Sequence, residues 1–150
     1  MIDEESRLNL EADRPAVEEF LREYSGKLHP SAADAAQIDG IFWVELHPRT
    51  VPTELYVARI AWTRYLQEPA SVKFADGVGG SLTVKSAWPL VPGYRPDAFD
   101  ICQPFTAEGY VAHPEWRTDI HAWPQTGNPF LWVVSRLQDD LNHRYQGRAQ

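Results

Sequence analysis

The chain has 150 residues, 43% of them apolar and 12% aromatic with six tryptophans, a composition that folds as a single globular domain spanning 1–150. Its 21 acidic against 14 basic side chains leave a net charge of −7, which excludes a general binder of phosphate backbones and so a nucleic-acid partner. No apolar run approaches the roughly 18 residues that span a bilayer, and the polar, acidic start Met1-Ile2-Asp3-Glu4-Glu5-Ser6 is the opposite of a secretory signal, so a cytoplasmic protein without membrane attachment is expected.

Residues 1–12 are polar and read as a frayed, disordered start. Asp13 is placed to cap a helix and Pro15 to sit in its first turn, where a missing N–H costs little. Val17, Phe20, Leu21 and Tyr24 recur at helical spacing and Gly26 offers a stop, which predicts a helix over 14–25. Lys27 to Asp39 shows no periodicity and reads as a connection. Ile41 to Leu46 is β-branched and aromatic and predicts a strand. The two prolines of His47 to Pro52 make a turn, and a second strand follows at 54–62. Tyr65 to Pro69 is a bend, 71–74 a short strand, Asp76 to Gly80 a turn and Ser81 to Trp88 a further strand. Gly79-Gly80 is no phosphate loop, because no Lys-Ser/Thr follows at the required spacing.

A long proline-rich segment then carries the chain to Asn128. There Asn128 caps, Pro129 takes the first position, and Phe130, Val133, Val134, Leu137 and Leu141 form an apolar stripe, predicting a helix over 129–145 that Gly147 ends. The pattern contains no internal repeat and no second domain. Helix, antiparallel meander, long loop, helix is an α+β layout with both helices packed on one face of the sheet.

Cys102 is the lone cysteine. It cannot form an internal disulfide, so it is either a small buried hydrophobe or a reactive sulfur. Asp100, Thr106, Glu108 and His113 lie within sequence reach of it. His113, Asp119 and His121 could in principle hold a metal, although their spacing matches no standard ligand signature and turn-capping loop residues are the simpler reading. The tryptophans read as core, except Trp132. It falls off the helical stripe and suits either a place under the cysteine loop or a partner surface. Asp139 and Asp140 read as a solvated charged face.

Several segments, taken in order, carry a resemblance. Phe42-Trp43-Val44-Glu45-Leu46 precedes a turn at Pro48, and Glu54-Leu55-Tyr56-Val57-Ala58-Arg59-Ile60 follows. Then come Tyr65-Leu66-Gln67-Glu68-Pro69-Ala70-Ser71-Val72-Lys73-Phe74 and, further on, Ile101-Cys102. This series resembles the ubiquitin-conjugating enzyme family over roughly residues 14–145. The resemblance implies the ubiquitin-conjugating-like fold, an antiparallel meander with N-terminal and C-terminal helices. It implies an acyl transferase in which Cys102 accepts a ubiquitin-like protein as a thioester. The implied partners are an adenylating activating enzyme, a ubiquitin-like protein with a C-terminal glycine, and a protein acceptor. No metal or organic cofactor is implied. Asp100 and His113 are taken as catalytic helpers of Cys102, for proton removal from the acceptor amine.

The chain also departs from the family. Tyr94-Arg95-Pro96-Asp97-Ala98-Phe99-Asp100 stands where a His-Pro-Asn motif should precede the cysteine, and it contains no Asn. The insert between Cys102 and Asn128 is longer than usual, and the family's two C-terminal helices look absent. The first helix carries Glu18, Glu19 and Glu23 where the family tends to be basic. A divergent, prokaryotic member fits these departures. The rivals are a non-catalytic binding module of the same fold, like ubiquitin-conjugating variants and RWD domains, and a small metal-dependent hydrolase.

Overall fold

The computed structural model describes residues 2–31 and 39–150. Helix α1 runs Glu4–Glu23, so the start expected to be frayed is helical. The reason is local: Asp3 rather than Asp13 is the cap, accepting from the Ser6 N–H at 2.7 Å, and Glu4 and Glu5 face the positive end of the helix dipole. Leu10, Val17 and Leu21 are buried along one stripe. Pro15 therefore lies inside the helix, not in its first turn, and deprives the Glu11 carbonyl of its usual donor. The helix stops short of Gly26 because Ser25 takes the left-handed conformation (φ 60°), and the Gly26 N–H closes back on Leu21 O at 2.8 Å. Gly26 serves close approach: a Cβ there would lie 2.6 Å from the carbonyl oxygen of Glu45.

The segment after α1 is not wholly a connection, since Lys27–Pro30 forms strand β1. It pairs antiparallel with β2 (Ile41–Leu46), Leu28 opposite Val44. A four-residue strand with a single buried apolar side chain, Leu28, is too short to show a period of two. The rest of the expected connection, 32–38, lies outside the described residues. β2 has the expected bounds, β3 is Tyr56–Ala61 and β4 is Ser71–Ala75. Among the described residues these form one antiparallel sheet in the order β1-β2-β3-β4.

The expected strand at 81–88 is absent. Leu82 and Val84 do alternate half-buried, but the backbone turns on itself, with Ala87 N–H to Val84 O and Trp88 N–H to Lys85 O both at 3.0 Å, giving a 3-10 turn at Lys85–Ala87. Period two predicts a face, and here that face has no strand beside it to pair with.

One face of the sheet, Phe42, Val44, Leu46, Tyr56, Ala58, Ile60, Val72 and Phe74, is buried. Helix α3 (Pro129–His143) covers it, capped by Asn128 as the sequence predicts. Phe130 meets Phe42 at 4.9 Å and Trp62 at 5.8 Å between ring centroids. Helix α1 packs against both β1 and α3, so the molecule is α+β, a four-strand antiparallel sheet with helices.

Tyr65 ties these layers together. Its N–H donates to Ser6 Oγ (3.0 Å), its hydroxyl donates to Asp13 Oδ2 (2.6 Å), and the same hydroxyl accepts the Phe130 N–H (3.0 Å). Asp13, expected to cap, instead anchors this junction, and Asn128 Nδ2 donates to the Asp13 carbonyl at 3.0 Å. At the other edge, helix α2 (Ala107–Ala112) caps the free side of β4. Glu108 accepts from Ser71 Oγ at 2.5 Å and from the Val72 N–H at 3.2 Å, and Ala107 N–H donates to Ala70 O at 2.8 Å. Among the described residues no helix is long and apolar enough to cross a membrane.

Candidate functional site

Between the 3-10 turn and α2 the chain makes a second, short antiparallel pair, β5 (Tyr94–Arg95) with β6 (Asp100–Ile101). Its turn is closed by Ala98 N–H to Arg95 O at 3.0 Å and by Phe99 in the left-handed conformation (φ 56°). Two lysines hold that turn to the body: Lys85 pairs with Asp97 at 2.7 Å, and Lys73 Nζ donates to the Phe99 carbonyl at 2.7 Å.

Alternation sends Tyr94 and Ile101 inward, where both are buried, and leaves Arg95 and Asp100 on the outer side. Cys102 falls two residues after Asp100 and so shares its face. Its N–H donates to Gly93 O at 2.8 Å, extending the ladder by one pair, and its thiol is free and half-buried. Gly93 is required here by its φ of +90°, and a Cβ would also push aside the Gln103 amide, which donates to the Pro92 carbonyl at 2.9 Å.

Beyond the cysteine, Thr106 shuts the loop. Its buried hydroxyl donates to Ile101 O at 2.6 Å and accepts the Gly109 N–H at 3.0 Å, capping α2. Phe105 is buried beneath, with Trp132 at 6.5 Å and Arg136 over its ring at 5.2 Å. Trp132, also 5.5 Å from Trp123, therefore takes the place under the cysteine loop.

The expected helpers fare differently. Asp100 is on the face of Cys102, but both of its oxygens are held by Arg95, at 2.7 and 2.6 Å. That bond and the charge of Asp100 raise the Arg95 guanidinium above its ordinary value, and the Cys102 sulfur adds to the effect. His113 ends α2, where its Nδ1 lies 2.9 Å from Glu115 and its ring stacks on Trp116 at 4.2 Å. The imidazole in turn holds the Glu115 carboxyl below its usual range. Glu108 is spent on the edge of β4, and Thr106 on the loop itself. The rival metal trio is not assembled: His121 Nδ1 bonds Asp119 at 3.0 Å within its own turn, and among the described residues no three His, Cys, Asp or Glu side chains group to hold a metal ion.

Two residues that the sequence reading passed over support the hairpin. Arg95 is one. The other is Asp140, which is not part of a solvated face: it is 2% exposed and accepts from the Tyr94 hydroxyl at 2.8 Å. Burial pushes its carboxyl up, against the Tyr94 hydrogen bond and the pull of Arg136 and Arg144. The Tyr94 phenol is likewise raised, first by burial and then by the charge of Asp140. The signal was in the sequence, because residue 140 falls beside Leu137 and Leu141 on the apolar stripe. Asp139 is exposed as expected, 3.4 Å from His143.

No family model, no curated protein and no solved structure matches the chain.

Proposed function

We propose that this chain is a divergent, prokaryotic-type ubiquitin-conjugating-like enzyme that carries a ubiquitin-like protein on Cys102 and passes it to an acceptor. The observation that carries the reading is the placement of the thiol. A half-buried, free cysteine follows a four-strand antiparallel meander, closes a short hairpin, and precedes the helix that covers the sheet. That order suits the ubiquitin-conjugating-like fold, with the Ile101-Cys102 dipeptide presenting an inward isoleucine and an outward sulfur.

In the proposed reaction the Cys102 thiolate attacks the thioester carbonyl of the cargo held by an adenylating activating enzyme. The new carbon–sulfur bond forms, and the activating enzyme's thiolate leaves. An acceptor amine then attacks the Cys102 thioester, the carbon–nitrogen bond forms, the Cys102 sulfur departs, and the amine gives up a proton. The resemblance offers His113 for that proton, although its ring is held against Glu115 and Trp116 of its own loop. With Nδ1 turned to Glu115, its Nε2 is left to accept. Asp100 is assigned to the rim of the thiol together with Arg95.

Incubation with the cognate activating enzyme, ATP and the ubiquitin-like protein should give an adduct cleaved by reductant. Cys102→Ala should abolish it, and Cys102→Ser should leave at most a slower oxyester that survives reductant. His113→Ala should slow discharge to an amine at least several-fold more than it slows charging. An adduct persisting in Cys102→Ala rules the assignment out. Complete absence of an adduct on the native chain favours the non-catalytic binding module instead.

A further inference from the structure

The three most exposed large apolar side chains among the described residues are Ile120, Val111 and Leu8, at 95%, 76% and 54%. They gather at one end of the molecule, around the bend at 63–69. On one side of that bend Ser6, two residues before Leu8, accepts the Tyr65 N–H. On the other side Trp123 donates to the Leu66 carbonyl at 3.1 Å, and Tyr110 of α2 donates to the carbonyl of His121, next to Ile120. Between the bend, α2 and the sheet face turned away from α3 lies a groove of about 270 Å³. Ala61 and Ser71, opposite each other in β3 and β4, line it with Pro69, Ala107 and Val111, and Arg117 stands at its rim. The volume falls below the range of about 300–1,000 Å³ usual for small-molecule sites, and suits a protruding side chain better.

The charges beside the groove are uncompensated. The next pair along the same face sets Arg59 against Lys73, like charges directly opposite each other. Arg59 makes one bond, Nη2 to Ser71 Oγ at 3.2 Å, and its Nε is buried without an acceptor. Lys73 is on the Phe99 carbonyl and Arg117 lies over the Tyr110 ring at 5.5 Å, so among the described residues none of the three is in an ion pair. The nearby carboxylates are engaged elsewhere, Glu68 with Thr63 and Arg64, and Glu108 with Ser71 and Val72. A part-buried cation without a counter-ion is costly. The complement of this surface is an apolar side chain with carboxylates beside it.

The chain carries such a feature itself. Leu8 stands on the outer side of α1 with Glu4 and Glu5 one turn before it, both exposed. We propose that the groove docks a second copy of this chain, with Leu8 of that copy seated against Val111 and Pro69 and its carboxylates meeting Arg59 and Arg117. Since helix start and groove flank one bend, a two-fold axis there lets each copy give its Leu8 and receive the other's. That closed arrangement is the commonest among oligomers. The contact stands apart from the reading of Cys102.

Sedimentation equilibrium of the full chain tests it. The average mass should rise with concentration from that of one chain toward that of two. Leu8→Asp and Arg59→Glu should each weaken association by about tenfold or more. Mixed in equal amounts, these two variants should recover part of the dimer, because the intact Leu8 of one meets the intact groove of the other. Arg59→Met keeps the aliphatic stem and removes the charge. It should weaken the dimer without lowering the urea midpoint of the dilute chain, which separates lost docking from lost fold. A native chain that stays monomeric at its highest soluble concentration would leave the groove to a different acidic protein and refute the second copy. A dimer that survives Leu8→Asp or Arg59→Glu, or a mixture no more associated than its components, would overturn the proposal equally.

Discussion

Between the sheet and α3 the contacts are mainly apolar. Phe130 packs there on Phe42 and Trp62. Around Cys102 the chain buries Tyr94, Ile101 and Phe105 as well, but adds a dense net of polar bonds: Cys102 to Gly93, Gln103 to Pro92, Thr106 to Ile101, Arg95 to Asp100, Tyr94 to Asp140. Apolar burial is non-directional and scales with area, so it makes a strong but forgiving scaffold. A net of directional bonds stabilises less in total but fixes atoms to fractions of an ångström, which is what a nucleophile requires. The division of labour can be broken from either side.

The largest effect should come from the core. Phe130→Ala leaves a void between Phe42 and Trp62 and should cost about 3–5 kcal/mol, read as a lower urea midpoint for the whole domain. Next comes the loop. Thr106→Ala removes the α2 cap and the bond to Ile101 O, at about 1–2 kcal/mol. It should raise Cys102 alkylation in the folded protein more than it lowers the global midpoint. If the loop instead unfolds only together with the core, the two regions are one unit and the contrast is lost.

The smallest effect concerns pH. Asp140 has its folded value above the ordinary 3.8, so its contribution to stability is complete below that value and is lost as the pH rises through the folded one. Asp140→Asn keeps an acceptor for Tyr94 and removes the titration. The native chain should therefore lose stability relative to the variant as the pH climbs from about 4, measured by urea denaturation in a series of buffers. A difference that runs the other way would show the carboxylate, not the acid, to be the form that the hairpin prefers.

The elements legible in the sequence are those whose burial repeats: β2, with three inward side chains in six residues, and α3, with a cap, a proline and a stripe. What escaped was mostly set by partners remote in sequence. β1 is defined by β2 and the failure of 81–88 to pair by the want of a neighbouring strand, whereas the helical start of α1 turned on a local cap at Asp3. At the site, Cys102 was legible from the Ile101-Cys102 dipeptide and Asp100 only by its nearness in sequence, while the hairpin that sets their positions lies in a segment that read as irregular loop. Arg95 was not, because its place depends on a four-residue turn and a left-handed Phe99 that no local propensity announces. His113 was read by nearness in sequence, yet its bonding partners are those of its own loop.

The Tyr65 junction has a consequence for how the protein is made. One phenol binds residues near the start of the chain, Asp13 through its proton and Ser6 through the neighbouring backbone, to Phe130 at the opening of α3. A nascent chain emerges in order, so α1 leaves the ribosome before α3. Its Leu10, Val17 and Leu21 stripe can meet β1 early, but its packing is complete only when the stretch from Asn128 onward has cleared the exit tunnel. Throughout that interval the cysteine hairpin is already synthesised but has no α3, and so no Asp140, to seat it. The thiol thus takes its native surroundings only as the whole fold closes.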